Sequence, residues 1–167
     1  MDVTIRDATE ADLPAIVEIY NATIPSRMVT ADLEPVTVES RRPWLAAHQA
    51  AVRPLWVLRD PAGTIAAWLS FDPFYARAAY DGTAMIAIYV AAARRREGLG
   101  RQLLSLAITR APTLGLHTLL GYIFGHNSPS LRLFEENGFQ RWGHLPRVAV
   151  LDGVERDLII VGRRIAP

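Results

Sequence analysis

Leu13, Ile16, Val17 and Tyr20 fall on one face at helical spacing, behind a β-prone Val3 to Arg6 and a Thr9 followed three residues later by Asp12. This pattern predicts a short strand, a capping-box-like start and an amphipathic helix. Periodicity fails from Asn21 to Val36, where Pro25, Pro35 and several hydroxyl residues predict a long loop of the kind that often carries function. A second helix is predicted from about Val38 to Ala51, capped by Thr37 and carrying Trp44, Leu45 and His48 on one face. Leu55 to Arg59 and Ile65 to Phe71 are strand-like, and the Asp60-Pro61-Ala62-Gly63 turn between them predicts an antiparallel hairpin. After an irregular, aromatic-rich Asp72 to Gly82 comes an apolar strand, Thr83 to Val90. A helix from about Gly100 to Ala111 follows, with Leu103, Leu104, Ala107 and Ile108 at helical spacing. Leu119 to Phe124 reads as a buried strand, and Ser128 with Pro129 as the N-cap and first turn of a short helix ending at Asn137-Gly138. Two strands, about Gln140 to Leu145 and Arg156 to Arg163, finish the chain. Early strands joined by hairpins and later ones joined through helices predict an α/β (α+β) fold: a central mixed, mostly antiparallel sheet with helices on both faces.

Composition narrows the chemistry. The chain has 167 residues, half of them apolar, which suits a single domain over residues 1–167 with one core. Eighteen basic residues against seventeen acidic leave a net charge of +1, so nothing global draws the protein to nucleic acid or to an anionic membrane. All the basic residues are arginine, which excludes a lysine Schiff base and a Walker-type lysine. The absence of cysteine removes disulfides, thiolate nucleophiles and Cys-ligated zinc, and fits a reducing cytoplasm. The acidic start, MDVTIRDATEADL, lacks the basic and apolar regions of a secretory signal, and the longest apolar run, Met85 to Ala93, is about half the length of a membrane helix. A soluble, cytoplasmic protein is expected.

The stretch with the most chemistry runs from Thr83 to Arg110. In Arg95-Arg96-Glu97-Gly98-Leu99-Gly100 the glycines allow a tight turn and close approach of a ligand, and the helix that follows aims unpaired N–H groups back into that turn. Arg94, Arg95, Arg96 and Arg101 add positive charge to the helix N-terminus, making an anion cradle suited to a pyrophosphate. A solvated strand-to-helix turn is the plainer alternative. The spacing is not the dinucleotide fingerprint, which needs a third glycine.

An apolar strand, then Arg95-x-x-Gly98-x-Gly100, Leu103-Leu104, Asn127-x-x-Ser130 and Gly138-Phe139, resembles the GNAT superfamily of N-acetyltransferases over nearly the whole chain. Ile19-Tyr20-Asn21, Ala76-Arg77-x-Ala79-Tyr80-Asp81, Ile88-Tyr89-Val90 and Phe124-Gly125-His126-Asn127 are similar to the phosphinothricin and methionine-sulfoximine N-acetyltransferases within it. The resemblance implies a GNAT-like domain that uses acetyl-CoA and no metal. It further implies a small amine or amino-acid acceptor, direct transfer in a ternary complex and a homodimer. Ile88, Tyr89 and Val90 would meet the pantetheine and thioester, Arg95, Arg96, Glu97, Gly98, Leu99, Gly100 and Arg101 would wrap the pyrophosphate, and Asn127, with Ser130 nearby, would bond the pantetheine. Capping of the next helix is a compatible second role for Asn127 and Ser130. Valine at Gly98 and Gly100 is expected to abolish CoA binding and leave the fold intact.

Two positions depart from that pattern. Where the group carries a glutamate base the sequence has Met85, and where the superfamily often carries a tyrosine acid it has Phe134. Three explanations stay open: chemistry through water and backbone carbonyls, substitution by Tyr80, Asp81, Tyr89 or His126, or a module that binds acyl-CoA without turnover. His126 and Tyr80 are the catalytic candidates. The resemblance assigns the acceptor to Ser26 to Thr30 and Phe71 to Asp81, with Arg77 pairing a carboxylate and Met28, Phe71 and Phe74 giving an apolar lining. The four histidines lack metal-site spacing and read as surface or cap residues, while Trp44, Trp56, Trp68 and Trp142 read as core and interface residues.

Overall fold

The computed structural model describes residues 3–165; Met1 and Asp2 of the acidic start lie outside them. The chain runs β1 (Thr4–Asp7), α1 (Leu13–Asn21), α2 (Val38–Ala47), β2 (Leu55–Arg59), β3 (Ile65–Pro73), β4 (Thr83–Val90), α3 (Leu99–Arg110), β5 (Thr118–Phe124), α4 (Ser128–Glu136), β6 (Gln140–Leu151) and β7 (Val154–Arg164), with short 3-10 turns between some of them. The element order matches the one predicted. A seven-stranded sheet, ordered β1-β2-β3-β4-β5-β7-β6, is antiparallel everywhere except between β4 and β5. That exception follows from α3, since a strand reached through a crossover helix returns parallel to the one before it.

Register sorts the side chains of β4 between two cores. Ala84 and Ile86, with Ile88 and Val90, pack against Leu99, Leu103 and Leu104 of α3 and Leu131 and Phe134 of α4. Met85, Ala87 and Tyr89 alternate to the opposite face, beside their register partners Asp72, Ser70 and Trp68 on β3. On that face Ile16 and Ile19 of α1 close over Leu55, Val57 and Trp68.

Several boundaries differ from expectation: β3 runs on through Asp72 to Pro73, β7 starts at Val154, and three others have a visible cause. Helix α2 ends at Ala47, four residues early, because His48 turns to an extended backbone (φ −83°, ψ 119°) and its Nδ1 lies 2.8 Å from the Trp44 carbonyl, the acceptor a longer helix would have used. The N-cap of α4 is Asn127, not Ser128: its Oδ1 accepts from the Ser130 N–H at 3.2 Å. Strand β6 continues past Leu145 through a bulge, with Arg147 left-handed (φ 52°) and its N–H bonded to Asp157 Oδ1 at 2.8 Å. The β6–β7 hairpin then closes through Asp152 and Gly153, both at positive φ (51° and 79°), as a two-residue hairpin turn prefers.

The entry to α1 is held by charge. Arg6 grips Asp12 with both guanidinium nitrogens, at 2.7 and 2.8 Å, and the Thr9 N–H and hydroxyl bond the same carboxylate at 2.8 and 2.9 Å. Arg6 foremost, with Thr9 behind it, outweighs the opposing effect of burial and holds the Asp12 pKa below its ordinary 3.8, at about 2. A depressed carboxylate pKa contributes stability above the unfolded value, and this is lost as pH falls through the folded one. Asp12→Asn is therefore expected to lower the unfolding free energy by about 2 kcal/mol at neutral pH. Urea titrations across pH should find that deficit shrinking between about pH 4 and pH 2, as the native Asp12 protonates.

Candidate active site

Strands β4 and β5 pair at only three positions, Thr83 with Thr118, Ala84 with Leu119 and Met85 with Leu120. Beyond them β4 stays on β3 as far as Val90, and β5 stays on β7 as far as Phe124. The strands part, and a notch opens between them, lined by Ile86, Ile88, Tyr89, Tyr122, Asn127 and Phe134 among others. Backbone groups on the β5-facing edge of β4 have lost their ladder partners there, so an amide-bearing arm can pair with them as an added strand would. Phe134, the residue without a proton to give, is a packing ring. It lies 4.9 Å from Phe139 between centroids, and a Cβ on Gly121 would come within 2.9 Å of it.

At the outer end of the notch the chain makes the arginine loop. Arg96 (φ 67°) and Gly98 (φ 78°) are both left-handed, and Gly98 is the N-cap of α3. A left-handed arginine costs about 1 kcal/mol or more, and such strain collects where a loop is shaped for a ligand. Two of the four arginines shape the loop. Arg94 bridges Asp60 of the β2–β3 turn and Glu97, each at 2.9 Å, and Arg101 pairs with Glu136. Arg95 and Arg96 are exposed and have no ion-pair partner among the described residues. With the first-turn amides of α3 and a Gly98 whose Cβ direction is empty within 4 Å, the loop has the charge, donors and room for a pyrophosphate. Glu97 belongs to this brace.

Asn127 and Ser130 both line the notch. Asn127 is buried, caps α4 and donates from Nδ2 to the Met28 carbonyl at 3.0 Å, which leaves one N–H for a ligand. His126, stacked on Phe124, spends Nε2 on the Arg27 carbonyl at 2.8 Å and lines neither the notch nor the cavity described next. Tyr80 is exposed and packs edge-on against Phe74 and Tyr75. Neither catalytic candidate lines the notch or the cavity. Phe71 is wholly buried in the main core against Trp56, and Arg77 lies in an exposed segment with its guanidinium 5.8 Å from the Tyr75 ring. Phe74, Phe71, Arg77 and Met28 do not line the cavity that the structure does form.

That cavity, about 170 Å³, lies on the α1/α2 face of the sheet. Its walls are Tyr20, Arg41, Trp44, Trp68, Asp72 and Tyr89, and its floor includes Ser70 and Ala87. Trp68 stacks on Tyr89 with centroids 4.4 Å apart, and Trp44 meets Trp68 edge-on at 5.7 Å, so two tryptophans read as core and interface residues pack in the smaller core and also wall the cavity. Arg41 sits 4.9 Å over the Tyr20 ring and 3.2 Å from Asp32. Burial, then the hydrogen bond to Asp32, raises the Tyr20 phenol pKa; burial also raises that of Tyr89, so both stay neutral hydroxyls. His48, expected as a surface or cap residue, is the C-cap of α2, and its side chain is buried beside Asp72 at 3.4 Å. Ala87 and Tyr89 line both the notch and this cavity.

The profile of the acetyltransferase (GNAT) family matches residues 13–139. The chain belongs to this family. It is 51% identical over 164 residues to Bacillus subtilis YwnH, provisionally named a phosphinothricin acetyltransferase, spanning 98% of this chain and 100% of that one. It is 32% identical over 167 residues to the L-methionine sulfoximine/L-methionine sulfone acetyltransferase of Pseudomonas aeruginosa, spanning 100% and 97% of the two chains. A crystal structure of a GNAT superfamily phosphinothricin acetyltransferase from Sinorhizobium meliloti in complex with AcCoA matches with a TM-score of 0.93, at 26% identity, over 99% of this chain and 90% of that one.

As a GNAT acetyltransferase the protein takes its acetyl group from acetyl-CoA, and the notch and arginine loop fit the arm and pyrophosphate of that substrate. Gly98 and Gly100 have different duties within the site. A Cβ at Gly100 would lie 3.3 Å from Leu133 Cδ2, whereas one at Gly98 meets nothing within 4 Å. Gly98→Val is expected to lose about 1–2 kcal/mol of stability through its positive φ and to weaken CoA binding at least about tenfold by calorimetry. Gly100→Val should also lower the melting temperature by crowding α3 against α4.

Proposed function

We propose that the protein transfers the acetyl group of acetyl-CoA to the amine of a small amino-acid-like acceptor bound in the Trp44–Trp68–Asp72 cavity, by direct transfer in a ternary complex. The observation that carries this reading is the shared wall: Ala87 and Tyr89 line both the notch and the cavity, so a thioester in one and an amine in the other meet across the same stretch of β4. Two bound reactants held in this way need no covalent enzyme intermediate, and positioning supplies much of the rate. The relatives named for phosphinothricin and for methionine sulfoximine or sulfone point to acceptors that pair an α-amine with a carboxylate. Arg41 is the cationic wall suited to that carboxylate, and the indole faces suit an apolar side chain.

We read the working form as a cytoplasmic homodimer. The support is the outer strand β6, whose Leu145, Val148 and Val150 are 42%, 57% and 58% exposed, an apolar edge that a second copy would cover. Sedimentation velocity should give twice the monomer mass, and Val148→Arg with Val150→Arg should give the monomer.

With purified protein, acetyl-CoA and a panel of amino acids, glutamate analogues and polyamines, free CoA thiol should appear with the amino-acid-like acceptors and exceed background hydrolysis. No acceptor-dependent release, with CoA bound tightly, would sink the reading. Arg41→Ala should raise the KM of a carboxylate-bearing acceptor at least about tenfold and leave that of acetyl-CoA nearly unchanged. If Arg77→Ala produced that selective rise instead, the carboxylate would be assigned to the exposed segment before β4.

A further inference from the structure

The cavity wall holds a carboxylate that nothing in the sequence pattern marks. Asp72 on β3 is the register partner of Met85 on β4, so the two side chains leave the sheet on the same face. Among the described residues it is the only acidic one lining the cavity. Three groups hold it: Ser70 Oγ donates to Oδ2 at 2.6 Å, Trp44 Nε1 donates to Oδ1 at 3.3 Å, and His48 Nε2 faces Oδ1 at 3.4 Å. A carboxylate offers about four acceptor directions, so one on Oδ2 remains for the cavity. The bond to Ser70, the register partner of Ala87, draws the carboxylate along the sheet toward the residue that faces both cavity and notch.

His48 sets the charge of the pair. Its Nδ1 lies 2.8 Å from the Trp44 carbonyl, which can only accept, so Nδ1 carries a hydrogen. A neutral ring would then turn the Nε2 lone pair toward the Asp72 carboxylate, whereas an imidazolium presents an N–H. The second arrangement is the attractive one, so His48 stands as a buried cation behind Asp72, with its side chain 6% exposed.

We propose that Asp72, held by His48, Ser70 and Trp44, is the catalytic residue that docks the acceptor's ammonium and takes the proton it must lose before attack, and that His48 is its positioning residue. The proposal rests on the reading of the cavity as the acceptor site. One proton passes from the ammonium nitrogen to Asp72 and out through the cavity mouth. The free amine then attacks the thioester carbonyl, the C–N bond forms, the C–S bond breaks, and the second amine proton leaves with the CoA sulfur as a thiol. The products are the acetamide, CoA-SH and one proton. The imidazolium offsets the carboxylate's charge, so a docked ammonium is not locked in its charged form. Ionisation of both partners accords with their pKa directions. Burial alone would raise Asp72, but His48, Ser70 and Trp44 outweigh it and lower the value; burial alone would lower His48, but Asp72 and the Trp44 carbonyl outweigh it and raise the value.

Asp72→Asn keeps the shape and removes the charge. Acetyl transfer to L-methionine sulfone should fall in kcat/KM by about a hundredfold or more, with KM for acetyl-CoA changed by less than about twofold. Adding Met85→Glu to that variant places a carboxylate on the facing strand and should recover about tenfold of the loss. A second readout does not need turnover: the tryptophan fluorescence of Trp44 and Trp68, titrated with L-methionine sulfone and with its des-amino analogue. Wild type should prefer the amine by about tenfold, and Asp72→Asn should erase the preference. Retained preference, equal loss of both ligands, or kcat/KM within about twofold of wild type would each overturn the proposal. If the amine preference depends on Asp72 yet no amine is acetylated, the docking site stands and the transferase reading of the cavity falls. Should Asp72→Asn fail to fold, Asp72→Glu carries the same test, because moving the carboxylate by one methylene should still cost about tenfold in kcat/KM, and an unchanged value would overturn the assignment.

Discussion

The structure depends on how short the parallel pairing between β4 and β5 is. Three residue pairs join the strands, and β3 and β7 then draw them apart. Had the ladder continued to Val90, every backbone group on that edge of β4 would be satisfied and no arm could enter. The separation is tolerable because each strand keeps an antiparallel neighbour on its other side, and because the Phe134 ring sits against Gly121 at the inner end of the wedge. The same divergence aims the end of β4 at the arginine loop, where the Asp60–Arg94–Glu97 brace fixes the approach to α3.

Alternation along β4 then divides the labour. Ile86, Ile88 and Val90 anchor the strand to α3 and α4, so the cofactor side is stiffened by the larger core. Met85, Ala87 and Tyr89 face α1 and α2, where β3 contributes Asp72, Ser70 and Trp68 at matching register. Charge on this face is therefore carried by β3 while β4 remains apolar. A methyl group at Ala87 is what leaves space between Trp68 and the Ser70–Asp72 pair for a ligand. The pair keeps the His48 ring out of water and leaves the Asp72 side chain 28% exposed, with Trp44 Nε1 and the Ser70 hydroxyl on the carboxylate and the Trp44 carbonyl on His48 Nδ1.

Element order, the β2–β3 hairpin and the arginine loop were legible because each is written locally: Asp60-Pro61-Ala62-Gly63 makes its own turn, and the glycine loop sits between a buried strand and a helix. The ends of α2 and β6 were not, since they are decided by bonds from His48 to Trp44 and from Arg147 to Asp157 that no periodicity encodes. Asp152-Gly153 is a hairpin signal that could have extended both final strands. The acceptor side was least legible. Asp72, Ser70, Trp68 and Tyr89 come together through strand register, and His48 through the end of a helix, so their joint chemistry appears only once β3 is laid on β4. Phe71 shows the converse: one residue from Asp72, it points to the other face and belongs to the core.

The loop after α1 gives Val36 to the cavity and Val29 to the notch, and it is fastened from three directions. Asn21 bonds the Val36 backbone at both ends of its amide, at 2.9 Å each. His126 and Asn127 hold the Arg27 and Met28 carbonyls from the β5–α4 turn, and Arg27 grips Asp152 at the tip of the β6–β7 hairpin at 2.7 Å. Asn127 is the member with two allegiances, because it also lines the notch and caps α4. A pantetheine that engages its remaining N–H draws on the same side chain that secures the Met28 carbonyl. The notch and the loop after α1 are thus joined through one amide.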